Sequence, residues 1–158
     1  MLVKLLLEKK LTIATCESCT GGLISKRITN VSGSSEVFGY GVCTYANEAK
    51  MKLLSVSPET LDSFGAVSEQ TALEMAKGML KLSSADIAIS TTGIAGPTGG
   101  TAEKPVGLVY TAFCTKNGYS GCKKLLLGNI KDADRENIRY AASCEAMRLA
   151  IESVGRYL

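Results

Sequence analysis

An α/β fold is what this sequence predicts: a three-layer α/β/α sandwich with a mixed, mostly parallel sheet and one antiparallel hairpin. Three observations point there. Short β-branched or apolar runs alternate with longer stretches of helical period. A hairpin-type turn, Lys116-Asn117-Gly118, separates the last two apolar runs. Two glycine-containing turns, at Gly21-Gly22 and along residues 93–101, come directly after strand-like runs. At 158 residues and 46% hydrophobic content, one domain over 1–158 can enclose a sizeable core.

Taken in order, residues 1–10 read as a helix, with Leu2, Leu5 and Leu6 at helical spacing. Leu11-Thr12-Ile13-Ala14-Thr15 is a short buried strand, and residues 23–29 form a helix with Leu23, Ile24 and Ile28 on one face. Residues 37–45 read as a second strand whose Gly39 and Gly41 suggest a bend or a close approach by another group. Asn47 can cap a helix through Leu54. Ser57 with Pro58 opens another, and Ser68 opens a longer one with Ala72, Met75, Ala76, Met79 and Leu80 on its apolar face. Asp86-Ile87-Ala88-Ile89-Ser90-Thr91-Thr92 is a central strand. Strands follow at 108–114 and 119–127, and a long helix runs from about Asp132.

Composition excludes several chemistries. The chain has no histidine, so it cannot build a Ser-His-Asp triad or a Cys-His dyad from its own residues. A base working near neutral pH must be a carboxylate, a lysine of lowered pKa, a tyrosine or a thiol. Among six cysteines only Cys16 and Cys19 are closely spaced. A zinc site normally needs two such pairs, so no metal is expected. Cys43 and Cys114 lie in apolar runs and read as reduced core residues. A net charge of +3, no tryptophan and no basic run longer than two residues argue against a nucleic-acid partner. No apolar run approaches spanning length and no signal-peptide layout is present, so a cytoplasmic chain without a membrane partner is expected.

The working centre is placed at Cys16-Glu17-Ser18-Cys19-Thr20-Gly21-Gly22, where a hydroxyl and a thiol sit at a strand-to-helix turn. Such a turn can aim backbone N–H groups and the positive end of a helix dipole at a ligand. It can equally be an ordinary helix cap. Lys50 falls in the first turn of its helix, where the dipole disfavours its charge. Residues 93–101 could present N–H groups to an anion. All three segments follow strands, and in open sheets ligands bind beyond the carboxyl ends of strands. They are therefore expected to share one crevice.

Four segments also carry a resemblance: Thr15-Cys16-Glu17-Ser18-Cys19-Thr20-Gly21-Gly22, Tyr45-Ala46-Asn47-Glu48-Ala49-Lys50, Gly65-Ala66-Val67-Ser68, and Thr92-Gly93-Ile94-Ala95-Gly96-Pro97 with Lys104-Pro105-Val106-Gly107. Together they resemble the C-terminal domain of the CinA (competence/damage-inducible) proteins, the nicotinamide-nucleotide amidohydrolase family. The sequence departs from that family at Cys16, usually alanine, and at Ala133, usually glycine. The resemblance implies hydrolysis of the carboxamide of nicotinamide mononucleotide to nicotinate mononucleotide and ammonia, a step in pyridine nucleotide recycling, without metal or other cofactor. It implies Ser18, Tyr45 and Lys50 as catalytic residues and a homodimer.

On that reading Ser18 attacks the amide, activated by neutral Lys50 or by Tyr45 acting with it. The oxyanion meets backbone N–H groups of residues 18–21 or the Thr92 hydroxyl. Substrate contacts are expected from Cys19, Thr20, Gly21, Asn47, Thr92, Gly93 and Gly96, with Arg139 or Arg135 supplying charge to the phosphate. Thr20 and Asn47 are equally readable as helix caps. Two other readings stay open: a non-catalytic nucleotide-binding or regulatory domain, and a thiol-redox module using Cys16 and Cys19.

Overall fold

The computed structural model describes residues 1–158. In chain order the elements are α1 (Leu2–Lys9), β1 (Ile13–Glu17), α2 (Leu23–Thr29), β2 (Phe38–Cys43), α3 (Asn47–Leu54), α4 (Pro58–Phe64) and α5 (Glu69–Ser83). They continue with β3 (Ile87–Gly93), β4 (Leu108–Thr115), β5 (Ser120–Leu126) and α6 (Arg135–Tyr157). The strands form one sheet in the order β2-β1-β3-β4-β5. β1 runs parallel to β2 and β3, whereas β4 is antiparallel to both β3 and β5. Only β4 is therefore reversed, and the expected hairpin is β4–β5.

The helix layers follow from connectivity. The chain passes from β1 through α2 to β2 on one side, then returns past β1 through α3, α4 and α5 to β3 on the other. Right-handed crossovers in opposite directions put their helices on opposite faces of a sheet. One face accordingly packs Leu2, Leu6, Ile24, Ile28, Ala146 and Ala150 of α1, α2 and α6 over Ile13, Ile87, Ile89 and Phe113. The other packs Leu54, Met75 and Met79 of α3 and α5 over Ala14, Cys16 and Ala88. Alternation along β1 thus separates Ile13, Thr15 and Glu17 from Ala14 and Cys16.

Local signals explain most boundaries. The side chains of Ser57, Ser68 and Asp134 accept hydrogen bonds from the N–H groups of Thr60, Thr71 and Asn137, each a cap of about 1 kcal/mol. Asn47 is not a cap: it lies within α3, whose preceding residue Ala46 makes no side-chain cap. Cys43 is not in the core either. It is exposed because β2 is an edge strand. Gly41 is a close approach, since a Cβ there would lie 2.6 Å from Ser25 Oγ. Gly78 is the tightest such point: a Cβ would lie 1.8 Å from the Leu54 carbonyl oxygen, so glycine is what lets α5 cross the end of α3.

Candidate active site

β1, β2 and β3 end together at one edge of the sheet, and each hands the chain to a segment of the site. After β1, Ser18 leaves the strand toward the α3 side. After β2, Thr44 and Tyr45 lead into α3, whose first turn carries Lys50. The Lys50 side chain is buried, 1% exposed, and runs back toward the strand ends. Its Nζ lies 3.2 Å from Ser18 Oγ, 2.8 Å from the Thr44 carbonyl oxygen and 3.2 Å from the Tyr45 carbonyl oxygen. No carboxylate pairs with it.

This partner set has a chemical consequence. Two carbonyls and one hydroxyl match the three donors of an ammonium or, with the hydroxyl turned to donate, the two donors and one lone pair of a neutral amine, and no anion is present to favour the charged form. Burial disfavours the ammonium and holds Lys50 below the ordinary lysine pKa, against smaller opposing effects of the Cys19 and Cys16 thiols. Ser18 is nearly buried and its N–H is fixed on the Thr91 carbonyl at 2.9 Å. Of the turn that follows, Gly21 N–H bonds the Ser18 carbonyl, while the N–H groups of Cys19 and Thr20 have no partner within the chain.

Ser18, Cys19, Tyr45, Lys50, Thr92 and Gly93 line one cavity of about 190 Å³, with Ala66, Val67, Ala95 and Arg135 completing its wall. The three predicted segments therefore do converge on one crevice. The Thr92 hydroxyl donates to the Ala66 carbonyl at 2.7 Å. Its proton is committed, which leaves the amide of Cys19, a residue of the cavity wall, as the free donor next to Ser18. Arg135 spans the cavity mouth, donating to the Gly96 carbonyl at 2.7 Å and the Tyr45 hydroxyl at 3.0 Å. The Tyr45 ring itself is largely exposed.

Other predicted residues lie outside that cavity. Thr20 Oγ1 bonds Thr91 Oγ1 at 2.7 Å on the opposite face. Gly21 has φ +60 and leaves room for Arg139, whose guanidinium would be 2.8 Å from a Cβ there. Arg139 donates to the Thr20 carbonyl at 2.9 Å. It lines a neighbouring cleft of about 420 Å³ with Leu23, Arg135, Glu136, Asn137 and Tyr140. Asn47 is exposed at the start of α3. Gly96 takes part through its carbonyl. Arg135 lines both cavities.

The fold recurs in known proteins. Residues 1–154 match the family model described as the CinA C-terminal domain. The chain belongs to the CinA C-terminal domain family. A competence-damage inducible protein of Thermoanaerobacter pseudethanolicus is 53% identical over the whole chain, which covers 36% of that relative. A CinA-like protein of Kosmotoga olearia is 54% identical over 93% of this chain and 34% of its own length. The chain thus spans about a third of the curated relatives it matches. Among solved structures, a competence/damage-inducible protein of Agrobacterium tumefaciens superposes with a TM-score of 0.90 at 43% identity, over 98% of this chain and 94% of that one. A CinA superfamily protein of Klebsiella pneumoniae superposes at 0.91 with 32% identity, over 99% and 94%.

Within this CinA-type domain, one expectation of the sequence needs correction, and one alternative reading loses support. The α2 N-terminus does not point free N–H groups at a ligand. Glu17, fully buried at the end of β1, accepts the N–H groups of Gly22, Ile24 and Ser25 at 3.0, 3.0 and 2.9 Å and the Ser25 hydroxyl at 2.7 Å. The C-x-x-C pair does not have the character of a redox site. Both thiols are free and buried; burial raises Cys16 well above its ordinary value and Cys19 to about 12, where redox thiols are accessible and acidic. Sequence reasoning placed Glu17, Ala66, Val67 and Ala95 in the relevant segments but gave none of them a role. For Glu17 a signal existed: a lone charge ending an apolar strand, just ahead of a helix. No helix is long and apolar enough to cross a membrane.

Proposed function

We propose that this chain hydrolyses the carboxamide of nicotinamide mononucleotide, giving nicotinate mononucleotide and ammonia. The observation that carries the reaction type is the buried Ser18–Lys50 pair: a hydroxyl 3.2 Å from an amine that has no counter-ion. The substrate comes from the family the motifs resemble.

In the first step Ser18 Oγ bonds the amide carbon and its proton passes to neutral Lys50. The amide of Cys19 receives the oxyanion, and such a donor contributes roughly 10²–10³-fold. The C–N bond then breaks, Lys50 returns the proton to the leaving nitrogen, and ammonia departs. Water attacks the resulting ester and gives a proton to Lys50, which restores it to Ser18 as the nicotinate product leaves. Tyr45 contributes its carbonyl to holding Lys50 and its hydroxyl to holding Arg135.

At about 190 Å³, the catalytic cavity is smaller than the roughly 300–1,000 Å³ of pockets that enclose a whole drug-sized ligand. It suits the reacting carboxamide and its ring, with the ribose phosphate outside. Arg135 and Arg139 border that outer side, and neither is engaged in an ion pair. They are suited to receive the phosphate.

The test is ammonia release from nicotinamide mononucleotide by the chain and by Ser18→Ala. Turnover is expected in the first and its loss in the second. Turnover surviving in Ser18→Ala removes the nucleophile, and no turnover in either removes the substrate.

A further inference from the structure

We propose that Glu17 is a positioning residue for the Ser18 nucleophile, its buried carboxylate locking the strand end to the start of α2 so that the intervening turn holds one shape. This rests on the reading of Ser18 as nucleophile. Glu17 and Ser18 are adjacent but leave the chain on opposite sides of the sheet: Glu17 meets α2, and Ser18 meets Lys50. The carboxylate is fully buried, takes part in no ion pair, and is balanced by three backbone N–H groups and one hydroxyl.

An ordinary cap would sit at the residue flanking the helix. Here that residue is Gly22, with φ +91 and no side chain, and the acceptor arrives from the strand, five residues before it. Both ends of the turn are therefore pinned. At one end, the Glu17 carbonyl accepts from Thr44 N–H at 2.8 Å and Ser18 N–H donates to Thr91 at 2.9 Å. At the other, the Glu17 carboxylate holds Gly22, Ile24 and Ser25. Between them lie Ser18 and the two unpartnered amides of Cys19 and Thr20. Any slack in the turn moves nucleophile and oxyanion donor relative to each other, and about 1 Å of such displacement costs about 100-fold in rate.

Glu17→Gln keeps the size but replaces two of the acceptor's lone-pair sites with an NH₂ that faces N–H donors. The expected result is a kcat about 100-fold lower with little change in KM. The pH at which activity falls on the acid side should stay in place, because the carbonyls around Lys50 are untouched. Backbone amides of residues 18–25 should exchange faster with deuterated water. Ser25→Ala removes one of the four bonds and should lower kcat about threefold. All rates are taken per folded molecule, from circular dichroism below each melting midpoint. Covalent labelling of Ser18 by phenylmethylsulfonyl fluoride, followed by intact mass, reads the nucleophile without the substrate.

A fall in kcat and in labelling rate with the fold retained supports the role. Unchanged rates per folded molecule overturn it and leave Glu17 a stabilising cap. Should Glu17→Gln fail to fold, an unchanged labelling rate in Ser25→Ala overturns it. A wild type that releases no ammonia yet labels at Ser18 at a Glu17-dependent rate rejects the proposed substrate and keeps the positioning role. A wild type that does neither rejects both.

Discussion

Two helices begin beside Ser18, and they begin in opposite ways. α2 starts under a buried carboxylate that takes three of its N–H groups. α3 starts with no side-chain cap and carries a buried lysine in its first turn. The helix dipole favours an anion at such an end and disfavours a cation. At α2 the dipole's preference is met by a buried carboxylate. At α3 the preference is violated, and the amine is surrounded by carbonyls and a hydroxyl instead of an anion. On the proposed reading, the contrast separates a residue that positions the turn from one whose environment disfavours its proton.

The largest effect should come from removing the violated preference. Lys50→Met, like Ser18→Ala, is expected to lower turnover of the mononucleotide amide by about 10⁴-fold or more. Lys50→Arg should not restore it, since a guanidinium stays charged. Ammonia assays on the three variants check this; a Lys50→Met enzyme with more than about a tenth of wild-type rate would exclude lysine as the base.

The pH dependence sharpens the same point. Burial places the Lys50 pKa below the ordinary value of 10.5, and only the neutral amine accepts the Ser18 proton. Activity should therefore fall about tenfold per pH unit below the folded pKa of Lys50. Stability shifts with it. Between the folded pKa and 10.5 the unfolded chain binds the extra proton, so stability rises with pH across that window. Below the window the full cost of burying the cation is present. Lys50→Met should then be more stable than wild type at low pH, with the gap closing as pH rises, as read by chemical denaturation across pH. An acid limb at an unperturbed lysine pKa would break the comparison.

Tyr45→Phe should be milder, about tenfold in kcat/KM. It removes the hydroxyl that Arg135 holds but keeps the carbonyl that holds Lys50. A loss as deep as that of Ser18→Ala would transfer the base role to the phenol. Cys16→Ala should be the smallest change. Turnover should stay within about twofold, with about 1 kcal/mol of stability lost from the core. In native protein a thiol reagent should reach Cys43 first and leave Cys16 and Cys19 unmodified.

Much of the fold was legible because its signals are local. The runs 86–92 and 108–114 have the length and composition of buried strands, Ser57 and Ser68 stand where caps belong, and Lys116-Asn117-Gly118 is a hairpin-type turn. The failures are where local preference was overridden. Asn47 has the chemistry of a cap but lies inside α3. Thr20 and Ser18 also looked like caps for α2, yet that task falls to Glu17, whose reach across the turn depends on where β1 ends relative to α2. Cys43 lies in an apolar run, which by itself predicts core, but strand order decides burial, and β2 is at the edge.

By itself the sequence determined the alternation of strands and helices, the absence of imidazole chemistry, and the set of segments that follow strand ends. Tertiary structure alone decided which of their side chains meet. Ser18 and Lys50 are 32 positions apart, and no spacing rule joins them. They touch because β1 and β2 pair in parallel and therefore end at the same edge. The burial that lowers the Lys50 pKa is likewise a property of the packed layers: a lysine in the first turn of an isolated helix would simply point into water.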